Sequence, residues 1–148
     1  MKIFAQGWSF DFDGPGQRLV FCMKGCNMSC LWCETPEAIS PNTQIFYYPD
    51  RVAQDISYVC PHGAITGKVL DRTKCNLCSS FDCTINCKIK CFEKSGTDIT
   101  PGEILNIVLE SKSFFEKDGG VTFTGGEPTI QHEELLETLN LLKKNKIN

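Results

Sequence analysis

Three cysteines lie close together in one short segment, and they limit what this chain can be more strongly than its composition does. Cys26, Cys30 and Cys33 follow the spacing C-x3-C-x2-C. A closed structural metal site takes four protein ligands, whereas this loop offers three thiolates. A cubane iron–sulfur cluster has four irons, so three thiolates would leave one iron to a ligand that is not protein. The spacing therefore predicts a reactive cluster; a zinc site and simple burial of the thiols are the alternatives.

The composition excludes several classes of function. The chain has 148 residues and a formal net charge of −3, a balance that does not favour the basic face of a nucleic-acid-binding domain. No apolar run approaches the ~20 residues of a membrane-spanning helix, and residues 1–7 lack the apolar core of a signal peptide. Ten cysteines would suit a disulfide scaffold, but here they fall in metal-binding spacings. We therefore expect a reduced, cytoplasmic protein with no nucleic-acid or membrane partner.

The chain divides into a main domain and a cysteine-rich insert. A buried strand over residues 18–22, in which Cys22 is a core residue, leads directly into the cysteine loop. Residues 46–96 are loop-rich and carry cysteines in place of a large apolar core, so we expect an insert that metal holds together. The flanking segments, 1–45 and 97–148, then form the main domain.

Regular structure resumes after the insert. A capping box at Thr100–Glu103 begins a helix whose apolar spacing continues to Phe115 and which ends at Gly119-Gly120. A strand over 121–123, a turn and a helix over 129–145 follow. The predicted apolar face of that last helix consists of Leu135, Leu136, Leu139 and Leu142. Strand, insert, helix, strand and helix form a β/α alternation, which predicts parallel strands.

A second motif follows the second predicted strand. Gly125, Gly126 and Glu127 form a Gly-Gly-Glu turn, and in β/α folds the loops after the strands carry the functional residues. Glycines let the backbone approach a ligand closely. A carboxylate can accept a charge-assisted hydrogen bond from an ammonium group. By itself, however, a Gly-Gly-Glu segment is usually just a turn.

The cysteine loop and this turn together resemble the radical SAM superfamily, in which an aromatic residue such as Trp32 often precedes the last cysteine. In that family the open iron chelates S-adenosyl-L-methionine, and an electron from the cluster cleaves it to a 5′-deoxyadenosyl radical. The resemblance implies an α/β fold, the N-terminal part of a partial (β/α) barrel. It also implies a 4Fe-4S cluster on Cys26, Cys30 and Cys33, and an S-adenosyl-L-methionine site that includes Trp32, Gly125, Gly126 and Glu127.

A third motif narrows the resemblance to the glycyl-radical-enzyme activating enzymes. They place an Asp-Gly-Pro-Gly-x-Arg segment before the first strand, here residues 13–18, and end the cluster motif near Cys-x-Asn-Pro-Glu, where this chain has Thr35 for asparagine. The resemblance implies an oxidoreductase whose radical abstracts a hydrogen from a glycine of a partner glycyl radical enzyme. Asp13 is then a candidate partner contact, or else an ordinary turn residue. An electron donor such as flavodoxin or ferredoxin is also implied.

Many such activases carry a ferredoxin-like insert with two cysteine runs, of which this chain keeps one. The kept run is Cys75, Cys78, Cys83 and Cys87, and Cys60-Pro61 remains from the other. Ferredoxin topology lends the fourth cysteine of each run to the other cluster. The resemblance therefore implies one auxiliary 4Fe-4S cluster on Cys60, Cys75, Cys78 and Cys83, with Cys87 as the alternative fourth ligand. Four thiolates also suit zinc, and Cys91 is assigned to core packing.

The expected barrel is incomplete. Two β/α units cannot close a barrel, and Ile147-Asn148 lies about where a third strand would begin. We therefore expect a chain truncated after its second β/α unit, either an N-terminal fragment of an activase or a short product with little activity. Two functions of other classes stay open: a non-catalytic iron–sulfur electron-transfer or scaffold protein, and a zinc-stabilised interaction module.

Overall fold

The computed structural model describes residues 1–115 and 117–148, and within them the chain forms eight strands and four α-helices. The strands are β1 (Lys2–Ser9), β2 (Arg18–Met23), β3 (Gln44–Tyr47), β4 (Ile65–Thr66), β5 (Val69–Leu70), β6 (Phe92–Ser95), β7 (Thr97–Asp98) and β8 (Gly120–Gly125). The helices are α1 (Arg72–Cys75), α2 (Cys83–Asn86), α3 (Pro101–Glu110) and α4 (His132–Lys144). Met1–Asn42 and Gly96–Asn148 form one compact unit and Thr43–Ser95 a second. In this part of the chain no helix is long and apolar enough to cross a membrane.

The larger unit is built on a four-stranded sheet in the order β7-β1-β2-β8. β2 and β8 are parallel and in register, from Arg18 opposite Gly120 to Met23 opposite Gly125. This pairing confirms the predicted parallel strands, and it makes the loops that follow β2 and β8 leave from the same edge of the sheet. β1 pairs antiparallel with both β2 and β7. The sequence pattern did not predict β1, because Gln6-Gly7 interrupts its apolar residues.

One face of this sheet packs against α3 and α4. The buried apolar residues of this core are Ile3, Leu19, Phe21, Met23, Ile99, Ile104, Val108, Val121 and Leu142. The rings of Phe21 and Phe123 stack across the parallel pair with their centroids 5.7 Å apart. Each fully buried side chain of this size stabilises the fold by roughly 1.5–3 kcal/mol. The core therefore fixes the two strands from which the predicted functional loops leave.

Helix α3 begins as predicted and ends early. The hydroxyl of Thr100 accepts from the amide of Glu103 (3.2 Å), and the carboxylate of Glu103 accepts from the amide of Thr100 (2.7 Å), which confirms the capping box. The prediction that the helix runs to Phe115 and ends at Gly119-Gly120 is wrong, because α3 ends at Glu110. A 3₁₀ turn follows, and Gly120 is already the first residue of β8.

A contact with the distant β1 strand accounts for this early end. The rings of Phe114 and Phe115 pack against the indole of Trp8, with centroid distances of 5.9 Å and 5.5 Å. A continuous helix would place these neighbouring side chains on different faces. Tertiary packing therefore overrides the local helical spacing.

The apolar face predicted for α4 is only partly buried. Leu142 is buried and Leu135 half-buried, but Leu136 and Leu139 are 61% and 46% exposed. Thr138 completes the buried stripe instead, and its hydroxyl donates to the carbonyl of Glu134 at 2.7 Å. The helix also begins at His132, after a 3₁₀ turn over Pro128–Gln131.

The smaller unit contains two small sheets and its own core. β3 pairs antiparallel with β6, and β4 pairs with β5 as a short hairpin. The core combines apolar side chains with thiols: Ile45, Val52, Ile56, Val59, Ala64, Ile65, Cys75, Cys87, Cys91 and Phe92. The sequence predicted only a loop-rich insert, because strands of two to four residues leave too short a pattern to detect. Whether residues 46–96 form a ferredoxin-like insert stays a prediction.

Candidate cluster and cofactor site

The cysteine loop leaves the C-terminal end of β2 and has a fixed base. The amide of Gly25, whose φ is +96°, donates to the carbonyl of Ala38 at 2.7 Å, and the amide of Cys26 donates to the carbonyl of Ile39 at 3.0 Å. These two hydrogen bonds bring the start and the end of the loop together. The segment between them therefore forms a loop whose base is closed.

The predicted cluster ligands lie on this loop. Cys26 is half-buried, Cys30 and Cys33 are exposed, and the indole of Trp32 is 81% exposed. Within residues 1–115 and 117–148, no three His, Cys, Asp or Glu side chains converge closely enough to hold a metal ion. The structure thus places the three thiols on one loop but does not bring them together. Three thiols on an exposed loop suit a cluster chemically, since thiolates are the protein ligands of such clusters.

The Gly-Gly-Glu turn contacts the cysteine loop directly. Three hydrogen bonds join them: from the amide of Gly126 to the carbonyl of Met23 (2.9 Å), from the amide of Glu127 to the carbonyl of Gly25 (2.8 Å), and from the hydroxyl of Thr35 to the carbonyl of Gly125 (3.3 Å). The turn is therefore bonded to both ends of the loop. Thr35, the residue that departs from the family pattern, makes one of these bonds.

Close backbone packing explains both glycines of the turn. A Cβ atom on Gly126 would lie 2.2 Å from the carbonyl oxygen of Gly25, a distance that no side chain tolerates. Gly125 has a φ of +99°, and a Cβ atom there would lie 2.9 Å from the amide nitrogen of Met23. Any larger residue at either position would push the turn away from the base of the cysteine loop.

Glu127 has a structural partner in addition to its predicted ligand role. Its carboxylate Oε1 accepts from the hydroxyl of Thr129 at 2.6 Å and from the amide of Thr129 at 3.1 Å, and so caps the 3₁₀ turn that precedes α4. The hydroxyl and the amide of Thr129 lower the pKa of the Glu127 carboxyl. The carboxylate therefore stays ionised, which the acceptor of an ammonium group requires.

The Asp-Gly-Pro-Gly-x-Arg segment folds against β8. The carbonyl of Asp13 accepts from the hydroxyl of Thr122 at 2.7 Å, and that hydroxyl oxygen also accepts from Nε of Arg18 at 3.0 Å. A Cβ atom on Gly16 would lie 2.6 Å from the amide nitrogen of Gly119. The motif therefore needs its arginine and this glycine to lie flat on the sheet, whatever else it contacts.

The side chain of Asp13 lies near Cys22. Burial raises the pKa of the Cys22 thiol, and the carboxylate of Asp13 raises it further. Cys22 is half-buried, so its assignment as a core residue is only partly correct. Asp13 is half-buried as well.

Known proteins match this chain over most of its length. It is 32% identical over 146 residues to the 4-hydroxyphenylacetate decarboxylase activating enzyme of Clostridioides difficile strain 630, which covers 92% of the chain and 46% of that relative. It is 35% identical over 130 residues to the isethionate sulfite-lyase activating enzyme of Desulfovibrio desulfuricans (80% and 41%). It is 30% identical over 141 residues to the indoleacetate decarboxylase activating enzyme of Tractidigestivibacter scatoligenes (86% and 44%).

The chain is a homologue of the glycyl-radical-enzyme activating enzymes. This confirms the resemblance that the three motifs carry, and with it the radical SAM relationship. No protein-family model matches the chain. The activase homologue spans less than half the length of these three relatives.

Four cysteines of the smaller unit influence one another's ionisation, although within residues 1–115 and 117–148 no three of them converge closely enough to hold a metal ion. Burial raises the pKa of the Cys83 thiol to about 11, and the neighbouring thiolates of Cys75, Cys60 and Cys78 contribute to the shift. Burial also raises the pKa of Cys75, opposed by the cation of Arg72 and reinforced by Cys78 and Cys60. These four cysteines are the set that the resemblance implies for an auxiliary cluster.

Cys87 has a different neighbour. Its sulfur lies 2.9 Å from the sulfur of Cys91, and both side chains are buried, at 3% and 0% exposure. Burial, followed by the hydrogen bond with Cys87, raises the pKa of Cys91 to about 12. The thiol of Cys87 is therefore engaged with Cys91 in the core of the smaller unit.

Ser80 is a residue of interest that the sequence did not reveal. Burial acts to raise the pKa of Cys78, but the backbone amides of Phe81 and Ser80 and the Ser80 hydroxyl, 3.6 Å from the sulfur, outweigh it and lower the pKa. A thiolate is the form that binds metal. The same hydroxyl oxygen lies 3.1 Å from Nε2 of His62 and 2.8 Å from a carboxylate oxygen of Asp82. No spacing rule identifies such a serine in advance.

A groove of about 550 Å³ lies between β1, β7 and α3. Its lining residues are Ile3, Phe4, Ala5, Gln6, Thr97, Asp98, Ile99, Glu103, Asn106 and Ile107. None of these belongs to the three motifs, and none is a thiol. The chemistry suggested by the sequence is therefore located at the exposed loop edge and not in this groove.

Proposed function

We propose that this chain provides the S-adenosyl-L-methionine-cleaving part of a radical SAM enzyme that activates a glycyl radical enzyme. The observation that carries the proposal is the hydrogen-bonded junction of the cysteine loop with the Gly-Gly-Glu turn, at one edge of the parallel pair β2 and β8. In β/α folds this edge is where functional loops meet. The three relatives named above each activate a different enzyme, which supports an enzyme-activating role for this chain.

The residues of this junction have distinct roles in the proposal. The ligands of a 4Fe-4S cluster are Cys26, Cys30 and Cys33, and the S-adenosyl-L-methionine site includes Trp32, Gly125, Gly126 and Glu127. When bound, the cluster supplies the electron that cleaves the sulfonium to a 5′-deoxyadenosyl radical. The ionised carboxylate of Glu127 accepts from the cofactor's ammonium group, and the two glycines hold the turn against the loop. The exposed indole of Trp32 provides an apolar surface beside the ligands.

The substrate in this proposal is a backbone glycine of a partner glycyl radical enzyme. Once loaded with cluster and cofactor, the protein would take a hydrogen from the glycine Cα, leaving a glycyl radical and 5′-deoxyadenosine, and Asp13 would contact the peptide that carries the glycine. An electron donor such as flavodoxin or ferredoxin reduces the cluster. Thiolate ligands and a reducible cluster require a reducing compartment, so the proposed location is the cytoplasm.

We assign a second 4Fe-4S cluster to Cys60, Cys75, Cys78 and Cys83. The cysteine spacing supports this set, and the contact of Cys87 with Cys91 argues against the alternative fourth ligand. The element order of the smaller unit, with helical turns between β3 and β4 and between β5 and β6, follows the βαββαβ order of a ferredoxin-like unit. Zinc on the same thiols is the rival assignment.

Spectroscopy on anaerobically reconstituted protein tests the central proposal. The electron paramagnetic resonance spectrum of the reduced protein should change when S-adenosyl-L-methionine is added, and 5′-deoxyadenosine should accumulate with dithionite as reductant. Buffer alone and S-adenosylhomocysteine, which has no sulfonium, are the controls for cleavage. An iron-loaded protein whose spectrum does not respond to the cofactor would refute the enzyme assignment.

That negative outcome would favour a non-catalytic iron–sulfur electron-transfer or scaffold protein. One observation supports this second candidate. The smaller unit has its own apolar core, including Val52, Ile56 and Val59, so its thiols can hold a cluster without the catalytic loop.

A further inference from the structure

Lys24 stands between the last residue of β2 and the cysteine loop, and it is almost completely buried, at 1% exposure. Lysine is rarely buried to this extent unless its charge has a partner. Removing an ammonium group from water is costly, and the surrounding contacts must compensate. An apolar side chain would fill the position at lower cost, so the retained charge calls for an explanation.

The main chain of Lys24 is held from two sides. Its amide donates to the carbonyl of Lys2 at 2.9 Å, and its carbonyl accepts from Nε2 of Gln131 at 2.8 Å. Gln131 also bonds to the main chain of Lys2, accepting from its amide and donating to its carbonyl. The backbone of Lys24 is therefore fixed to β1 and to the turn before α4.

The side chain of Lys24 extends to the far end of the cysteine loop. Its Nζ donates to the carbonyl of Glu37 at 2.7 Å, and Glu37 lies in the 3₁₀ turn Pro36–Ala38 that follows the last loop cysteine. This hydrogen bond stands beside the two backbone bonds that Gly25 and Cys26 make across the loop base. Lys24 thus connects the two ends of the loop through a charged donor, and charged donors form stronger bonds than neutral ones.

Lys24 precedes the first predicted cluster ligand, Cys26, by two residues in the sequence, and its ammonium lies at the base of the cysteine loop. Reduction adds one negative charge to an iron–sulfur cluster, and its potential depends on net charge and nearby hydrogen bonds. Charges interact more strongly where water is excluded. A buried cation at the base of the loop therefore favours the reduced cluster over the oxidised one.

We propose that Lys24 is a positioning residue for the catalytic cluster: its ammonium closes the cysteine loop onto the carbonyl of Glu37, and its positive charge makes the cluster easier to reduce. The first half of this proposal, the loop-closing role of Lys24, concerns the loop alone. The second half, the effect of its charge on cluster reduction, rests on the proposed function.

Limited proteolysis of the anaerobically reconstituted protein tests the first half. In Lys24→Met the charged donor is lost, and cleavage within residues 26–37 should become about ten- to a hundredfold faster than in the wild type. Lys24→Arg keeps a charged donor and should remain resistant. Lys143→Gln, which removes an exposed lysine from α4, is the control and should behave like the wild type. Unchanged cleavage in a folded Lys24→Met protein would overturn the loop-closing role.

Redox titration followed by electron paramagnetic resonance tests the second half. Lys24→Gln keeps a hydrogen-bond donor but removes the charge, so its catalytic cluster should have a more negative midpoint potential than the wild type. Lys24→Arg and Lys143→Gln should keep the wild-type potential. Equal potentials in wild type and Lys24→Gln would overturn the electrostatic role. If the wild-type spectrum does not change when S-adenosyl-L-methionine is added, the proposed function is contradicted. The proteolysis result would still decide the loop-closing role of Lys24.

Discussion

The cysteines of this chain occupy two very different environments. Cys30 and Cys33 are exposed on a loop whose base is tied by hydrogen bonds, whereas Cys75, Cys87 and Cys91 lie in the core of the smaller unit. Burial makes a thiol hard to ionise unless a metal takes the place of the proton. Metal bound by the smaller unit would therefore become part of its folded core, whereas a cluster on the exposed loop would stay open to a small molecule.

The largest effect should come from the exposed set. In Cys30→Ala only two thiols remain on the loop, so the catalytic cluster should be lost and with it the spectral response to S-adenosyl-L-methionine. Iron analysis should show a fall from about eight to about four irons per chain, because the proposed auxiliary cluster would have its own four ligands. Cys22→Ser, which alters a half-buried thiol outside both sets, should keep about eight. Loss of all iron in Cys30→Ala would contradict the independence of the two sites.

The buried set can be tested with two single variants. Cys60→Ala should lose the auxiliary metal, whereas Cys87→Ala should keep it and lose only packing, at a cost of about 1 kcal/mol. The reason is that the proposed ligand set includes Cys60, whereas Cys87 contacts Cys91. Combined iron and zinc analysis is the measurement. The reverse pattern would make Cys87 the fourth ligand. If the wild-type protein contained about four irons and one zinc, the second metal site would be assigned to zinc and not to an iron–sulfur cluster.

A third test concerns the contact between the loop and the Gly-Gly-Glu turn. In Gly126→Ala the added methyl group would lie 2.2 Å from the carbonyl of Gly25, so the backbone must shift, at a cost of about 1–3 kcal/mol. Gly102→Ala is the matched control, because nothing lies within 4 Å of its added Cβ. Being helical, that control should gain roughly 0.5–1 kcal/mol. Urea unfolding of the anaerobically reconstituted variants measures both changes, and equal stabilities would contradict the close packing of the turn.

The sequence predicted the elements that depend on local pattern. The strand before the cysteine loop reads as a continuous apolar run because both its faces are covered, and the Thr100–Glu103 capping box depends on four consecutive residues. The parallel pairing follows from the order of elements, and it places both motifs at one edge.

Contacts between distant residues set the limit of that prediction. The end of α3 depends on Trp8, more than a hundred positions earlier along the chain. The burial of Lys24 depends on the carbonyl of Glu37, and the engagement of Cys87 depends on a turn that brings Cys91 back to it. No spacing rule encodes these contacts, because each arises only after the chain has packed.

The smallest effect should come from a single polar contact in the exposed site. Glu127→Gln keeps the size of the side chain and removes its charge, so the affinity for S-adenosyl-L-methionine should fall about ten- to a hundredfold while the cluster is retained. Because Thr129 lowers the pKa of the Glu127 carboxyl, the carboxylate is ionised at neutral pH, and wild-type binding should weaken only as the pH falls through that lowered pKa. Thr129→Val removes the hydroxyl donor but keeps the carboxylate, so it separates capping from ligand binding. The affinity, measured by titration of the spectral change, should fall in Glu127→Gln, which loses the charge, and not in Thr129→Val, which loses only a capping contact. Equal losses of affinity in the two variants would show that Glu127 acts through the turn alone.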